Sequence, residues 1–188
     1  MITREVAYGL LTEYVSSDSL IKHCLAVEAS MRKYAKVYGE DVELYGITGL
    51  LHDIDFEQYP DEHPTHARSI LQGSDIPESV LDAIEKHGKE HDNTRESLLA
   101  KTLFAVDSLS SFVIAYVHVR PDKSFEGVSL KSIKKKFKDK AFARAVNRDL
   151  VALGAVELDI ELYEHMQTVI DGIVERQAEL SHMGMSLI

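Results

Sequence analysis

Residues 44–53 read LYGITGLLHD, an apolar run that ends in a histidine and an aspartate. Packing of a hydrophobic helix does not call for polar residues at its end, whereas a neutral imidazole beside a carboxylate suits a divalent transition ion. Residues 55–64 follow as an acidic connector without a helical period, and polar connectors often carry functional groups. The doublet His52-Asp53 is therefore the first candidate for a functional site.

Helical spacing extends outward from this doublet over most of the chain. Apolar residues recur three and four positions apart, which predicts an all-α protein, a single-domain helical bundle with about eight helices. A long helix begins at an N-cap, Asp18 or Ser19, and ends at Gly39. A long apolar helix is capped by Thr94 and stops before Pro121. Further helices are predicted over residues 3–15, 41–53, 65–71, 78–87, 130–137, 142–153 and 159–180.

The length of the chain fits one domain. With 188 residues, of which 45% are hydrophobic, the chain can bury a core without disulfides or metal staples. We expect a core over about residues 18–120, a C-terminal helical extension over about residues 121–181 and a frayed tail over residues 182–188.

The sequence favours a cytoplasmic protein. The single cysteine, Cys24, has no partner for an internal disulfide, and the N-terminal residues lack the pattern of a cleaved leader. Lys101 and Asp107 interrupt the most apolar window, residues 98–119, and a charge in lipid would cost several kcal/mol. We therefore predict a buried helix there and no membrane partner.

Net charge argues against nucleic acid as the primary partner. The chain has 21 basic and 31 acidic residues, a net charge of −10, whereas nucleic-acid affinity depends on neutralising phosphates. Eight of the 21 basic residues lie between residues 129 and 148, either as the solvated face of a helix or as a patch that attracts phosphates. The apolar face of the last helix is either core or interface, which leaves a homo-oligomer open.

Two further polar residues lie in apolar helical surroundings, His23 and Asp107. A buried carboxylate is costly unless it is paired or bound to a metal. Each residue alone has an ordinary explanation, since a core histidine is usually hydrogen-bonded and a helical aspartate usually finds a cation. Four such residues on three predicted helices, with a His-Asp doublet among them, favour a shared ion.

The order His23, Leu51-His52-Asp53, Asp107 resembles the signature of the HD-domain superfamily of metal-dependent phosphohydrolases, an all-helical fold named for its doublet. The similarity extends from His23 to at least residue 119. It is greatest to a branch of predicted HD hydrolases in which a segment like residues 119–123 and a lysine-rich stretch like residues 131–140 follow the last aspartate. The resemblance implies an HD-domain-like helical bundle.

The resemblance also implies a ligand set. His23, His52, Asp53 and Asp107 would hold one divalent ion, and its remaining positions would accept water and a substrate oxygen. The donor types leave Mn, Fe, Co, Ni, Mg and Zn open, because availability decides much of the choice.

Some members of the superfamily hold a second ion with additional histidines. The candidates here are His63, which opens the sequence HPTHA at residues 63–67, and His87; His66 is a spare. The alternative is that these residues belong to a polar loop and a helix end, where His87 meets the C-terminal dipole.

The activity implied by the resemblance is hydrolysis of a phosphate mono- or diester of a nucleotide or related small metabolite, by attack of metal-activated water. The predicted catalytic residues are Asp53 and Glu57, and Asp55 is also close enough to act as a base. Glu57 and Asp55 can each equally be an ordinary loop residue. The predicted phosphate-binding residues are Arg120, Lys131, Lys134 and Lys135.

Two other classes of function remain. One is a di-iron oxygenase-type HD protein, which requires both His63 and His87 as ligands. The other is a non-catalytic regulatory or binding module in which the metal is structural.

Overall fold

The computed structural model describes residues 1–88, 95–182 and 184–188, and within these residues it contains nine helices and no strand. This confirms the predicted all-α fold. The helices are α1 (Arg4–Tyr14), α2 (Asp18–Tyr38), α3 (Val42–Leu51), α4 (Ala67–Leu71), α5 (Glu78–His87), α6 (Leu98–His118), α7 (Leu130–Phe137), α8 (Arg148–Glu157) and α9 (Leu162–His182).

Helices α2 and α6 form the centre of the bundle. Helix α2 packs against α3, α6 and α9, while α6 also packs against α5 and α8. Helix α6 is long and apolar enough to cross a membrane, but 61% of its most apolar window is buried inside the protein. Burial of this kind is typical of a core helix, as the charges within the window predict.

A close approach between α2 and α3 brings the doublet toward His23. A Cβ atom at Gly49 would lie 2.9 Å from the backbone nitrogen of Glu28, so only glycine lets α3 pack this closely on α2. One turn after Gly49, His52 then faces α2. The predicted end of α2 is also confirmed: Gly39 caps it in the left-handed conformation, with φ of 72°.

Several predicted helix ends are wrong by a few residues. Ser17, not Asp18 or Ser19, caps α2, because its side chain accepts from the backbone N–H of Leu20. Thr94 lies outside the described residues, and Ser97 caps α6. Helix α8 begins at Arg148, six residues after the predicted start, because Asn147 caps it and the Arg148 guanidinium donates to carbonyl groups of the preceding turn.

The C-terminal extension packs onto the predicted core. Met166, Val169 and Ile173 on α9 are buried, so within this chain its apolar face belongs to the core. The predicted fraying of the tail does not match its packing among residues 184–188. Leu187 is fully buried, and its N–H donates to the Gln177 side chain at 2.8 Å.

Candidate metal centre

Six histidine and aspartate side chains meet between α2, α3, α5, α6 and the connector that follows α3. The second turn of α2 provides one residue, the end of α3 two, the connector one, the last turn of α5 one and the middle of α6 one. They are His23, His52, Asp53, His63, His87 and Asp107.

The first group contains the four residues predicted to hold one ion. His23 Nε2 lies 3.1 Å from both His52 Nε2 and Asp107 Oδ1, and 3.4 Å from Asp53 Oδ2. His52 Nε2 lies 3.3 Å from Asp53 Oδ1. Two ligand atoms that each lie about 2.1 Å from one ion, at right angles, are about 3 Å apart. The spacing of these atoms therefore suits a single bound ion.

The second group shares Asp53 with the first. His63 Nε2 lies 3.1 Å from His87 Nε2, and these nitrogens lie 3.2 Å and 3.4 Å from Asp53 Oδ1. Asp53 Oδ1 thus contacts three imidazoles, and its other oxygen contacts a fourth. Asp53 is therefore the residue that could hold an ion in either group.

The other ring nitrogen of each of the four histidines has a partner within the protein. His52 and His87 donate from Nδ1 to the carbonyl oxygens three residues earlier, at 2.8 Å and 2.5 Å. A carbonyl only accepts, so the proton of a neutral ring is on Nδ1 and the Nε2 lone pair faces the centre. The partners are Gly49 O for His52, Ile84 O for His87, Ser111 Oγ for His23 and Asp55 Oδ1 for His63. This arrangement of outer hydrogen bonds is the one that orients histidines toward a metal.

Without an ion, the site binds protons. Burial lowers the pKa of His23, but hydrogen bonds with Asp107 and Asp53 outweigh burial and raise the pKa to about 10. At His63, burial again lowers the pKa, but hydrogen bonds with Asp53 and Asp55 outweigh burial and raise the pKa to about 9. Burial would raise the pKa of Asp107, yet hydrogen bonds from His23 and His52 hold it well below its usual value. The carboxylates therefore stay charged and attract a cation.

The two groups lie at a cleft of about 710 Å³. Its walls combine serine hydroxyls with apolar side chains, and Phe56 meets the His63 ring edge-on at 5.2 Å between centroids. No lysine or arginine is among the residues that line it in the described part of the chain. The wall residues include Ser17, Ser19, Ser108, Ser111, Leu20, Phe56, Phe104 and Leu150.

The two acids considered as a general base are already occupied. Glu57 lines the cleft, but its carboxylate accepts from the backbone N–H groups of Ser16 and Ser17 at 2.9 Å and from the Ser16 hydroxyl. The Ser16 hydroxyl, with these backbone groups, lowers the pKa of Glu57, which weakens it as a base. Asp55 is fully buried and accepts from His63 and from the backbone of His66. The geometry therefore does not favour either acid as the base.

The predicted phosphate-binding residues do not line the cleft. Arg120 forms a two-pronged hydrogen bond with Asp122 and donates to the Glu126 carbonyl. Helix α7 buries Ile133, which turns its lysines outward. Lys131, Lys134 and Lys135 accordingly line a separate surface groove, together with Leu130 and Lys138.

Three further histidines lie outside the centre or outside the described residues. The spare, His66, stacks on Tyr59 and has its Nε2 2.8 Å from Glu62 Oε2. His118 is exposed at the end of α6, and His91 lies outside the described residues.

Sequence reasoning missed the groups that hold the histidines. The signal for Ser111 is its spacing, because it lies four residues after Asp107 on α6 and therefore on the same face of the helix. The Gly49 and Ile84 carbonyls are backbone atoms, for which residue identity gives no signal.

An all-helical bundle with two imidazole–carboxylate groups at an open cleft fits a protein that binds divalent metal ions. Comparison with known families agrees: residues 20–111 match the family described as HD domain. This segment is thus an HD domain, and it contains all six residues of the centre. No solved structure matched the chain at the threshold applied.

Proposed function

We propose that the protein is a metal-dependent phosphohydrolase that cleaves a phosphate mono- or diester of a nucleotide or related small metabolite. The observation that carries the proposal is the convergence of four imidazole Nε2 atoms and two carboxylates at an open cleft. A purely structural ion is usually enclosed by protein ligands, whereas this site keeps one side open to a substrate.

The donor atoms fit divalent ions. His23, His52, Asp53 and Asp107 would hold one ion, and Asp53, His63 and His87 would hold a second. Imidazole-rich sets of this kind suit Fe, Ni or Zn better than Mg, while Mn and Co remain compatible. An ion held there would supply Lewis-acid chemistry, which lowers the pKa of a water and stabilises negative charge on phosphoryl oxygens.

The chain's own residues would bind and orient the ester. The hydroxyls of Ser19 and Ser108 on the cleft wall can donate to phosphate or sugar oxygens, while Phe56 and Leu150 provide apolar surface for the rest of the molecule. The charge of a phosphate would be balanced by an ion held at the histidine–aspartate centre.

The test combines metal content with phosphate release. Protein purified without chelator or affinity tag is analysed for metals. Metal-free protein is then loaded in turn with Mn²⁺, Fe²⁺, Co²⁺, Ni²⁺, Mg²⁺ or Zn²⁺ and assayed with nucleoside monophosphates and bis(p-nitrophenyl) phosphate. We expect one or two ions per chain and cleavage of at least one ester, with Asp107→Ala losing the ion of the first group.

Other outcomes would replace the proposal. Metal binding with oxygen consumption and no ester cleavage would identify the di-iron oxygenase alternative, for which the structure has both required histidines close to Asp53. Bound metal with neither activity would favour a non-catalytic module. Absence of metal after reconstitution would make the histidines ordinary core residues. A cytoplasmic location and self-association stay predictions.

A further inference from the structure

We propose that Asp55 is a positioning residue that builds the second ion site by fixing the tautomer and direction of His63. This inference rests on the proposed metal-dependent function. It concerns a side chain that lies behind the site and does not line the cleft.

His63 differs from the two helical histidines in how it is supported. His52 caps the end of α3 and His87 is the last residue of α5, so each finds a helix carbonyl oxygen three residues earlier. His63 lies on the connector between α3 and α4, and its Nδ1 is bonded instead to the carboxylate of Asp55 at 2.6 Å. Asp55 therefore provides for the connector what the helix backbone provides elsewhere.

The carboxylate of Asp55 is itself held in place. Its Oδ2 accepts from the backbone N–H of His66 at 3.0 Å, and the whole residue is inaccessible to solvent. An ionised carboxylate only accepts hydrogen bonds, so a neutral His63 ring carries its proton on Nδ1 and directs the Nε2 lone pair toward His87 and Asp53. A carboxylate partner also makes an imidazole a stronger metal ligand.

The substitution Asp55→Asn tests this role with almost no change in size. An amide has one oxygen for two N–H donors, the ring of His63 and the backbone of His66. If the oxygen stays with the backbone, the amide NH₂ faces His63 and demands the opposite tautomer, with the proton on Nε2. We therefore expect the affinity for the ion of the second group to fall about 10- to 100-fold. The affinity for the ion of the first group should change less than about threefold.

Calorimetric titration of metal-free protein with Zn²⁺ measures both affinities, and a double-mutant cycle with His63→Ala separates positioning from general loosening. In the His63→Ala background, Asp55→Asn should have no further effect on ion affinity. The matched control is His66→Ala, which keeps the backbone N–H bonded to Asp55 and should leave both ions bound.

Nitrogen-15 spectra of the wild-type protein loaded with Zn²⁺ give a test that needs no variant. His63 should show a protonated Nδ1 and a metal-bound Nε2. The opposite tautomer in the wild type, two unchanged affinities in Asp55→Asn, or equal loss of both ions would overturn the proposal. Failure of the proposed function looks different, because wild-type protein would then bind no ion or cleave no ester.

Discussion

The histidines of the cleft and His165 on α9 are all largely buried, yet they use their ring nitrogens differently. His165 is inaccessible to solvent; its Nε2 donates to the Ala105 carbonyl at 2.9 Å, and its Nδ1 accepts from the Tyr34 hydroxyl at 2.6 Å. In the cleft, each histidine uses only Nδ1 in this way. The difference teaches that a ring nitrogen directed at other imidazoles and a carboxylate, and not burial, distinguishes a candidate ligand from a core histidine.

The pKa values of the histidines also differ between the cleft and the surroundings of His165. Burial lowers the pKa of His165 to about 4, and no carboxylate offsets it. At His23 burial also lowers the pKa, but Asp107 and Asp53 reverse the direction and raise it to about 10. One region therefore excludes a positive charge while the other attracts it.

The largest expected effect comes from removing the cleft doublet. The double substitution His52→Ala and Asp53→Ala takes ligands from both groups, so both ions should be lost and hydrolysis should fall about a thousandfold, as loss of several kcal/mol of metal stabilisation implies. Elemental analysis and phosphate release measure these losses, and circular dichroism should show a retained helical fold. Undiminished metal content would contradict the ligand assignment.

His165 should govern stability in mild acid. The unfolded chain protonates this histidine near pH 6.5 and the folded protein only near pH 4. Its contribution is thus complete above pH 6.5 and is lost as the pH falls, by about 2 to 3 kcal/mol between pH 6.5 and 4.5. Urea unfolding of metal-free protein at several pH values measures it.

The control for this acid effect is His165→Gln. Glutamine can donate to the Ala105 carbonyl and accept from the Tyr34 hydroxyl, but it does not titrate. The variant should therefore keep most of its stability at pH 7 and lose the acid dependence. An unchanged acid dependence would show that other groups produce it.

The cleft should give the opposite dependence in alkali when no ion is bound. His23 and His63 keep their protons to about pH 10 and 9 in the folded protein, whereas the unfolded chain releases them near pH 6.5. Their contribution is complete below pH 6.5 and is lost as the pH rises, by about 2 kcal/mol for each histidine between pH 7 and 9. Thermal unfolding with chelator measures it, and saturating Zn²⁺ should abolish the dependence. The same alkaline loss with Zn²⁺ present would place the ion elsewhere.

The sequence was sufficient for the helices and for the groups that carry charge. The ranges predicted for α5 and α7 agree with the structure, and the His-Asp doublet pointed to the centre. The supports of the histidines were harder to predict, because they are backbone carbonyls or, like Asp55, acids that look like ordinary loop residues. His165 was not distinguished at all, since its two partners come from α2 and α6, 131 and 60 residues away.

The smallest effect is expected at the lysines of α7, which the sequence linked to the cleft by charge alone. Lys134 lies with Nζ 3.5 Å from the centroid of the Tyr163 ring, and Lys134 and Lys135 line a groove that shares no residue with the cleft. At physiological ionic strength, exposed charges act over about 8 Å. The double substitution Lys134→Ala and Lys135→Ala should therefore change KM less than about twofold and leave kcat unaltered, as steady-state kinetics with an ester that the metal-loaded protein cleaves would show. A severalfold rise in KM at constant kcat would mean that these lysines bind substrate. The substrate-binding surface would then extend from the cleft to α7.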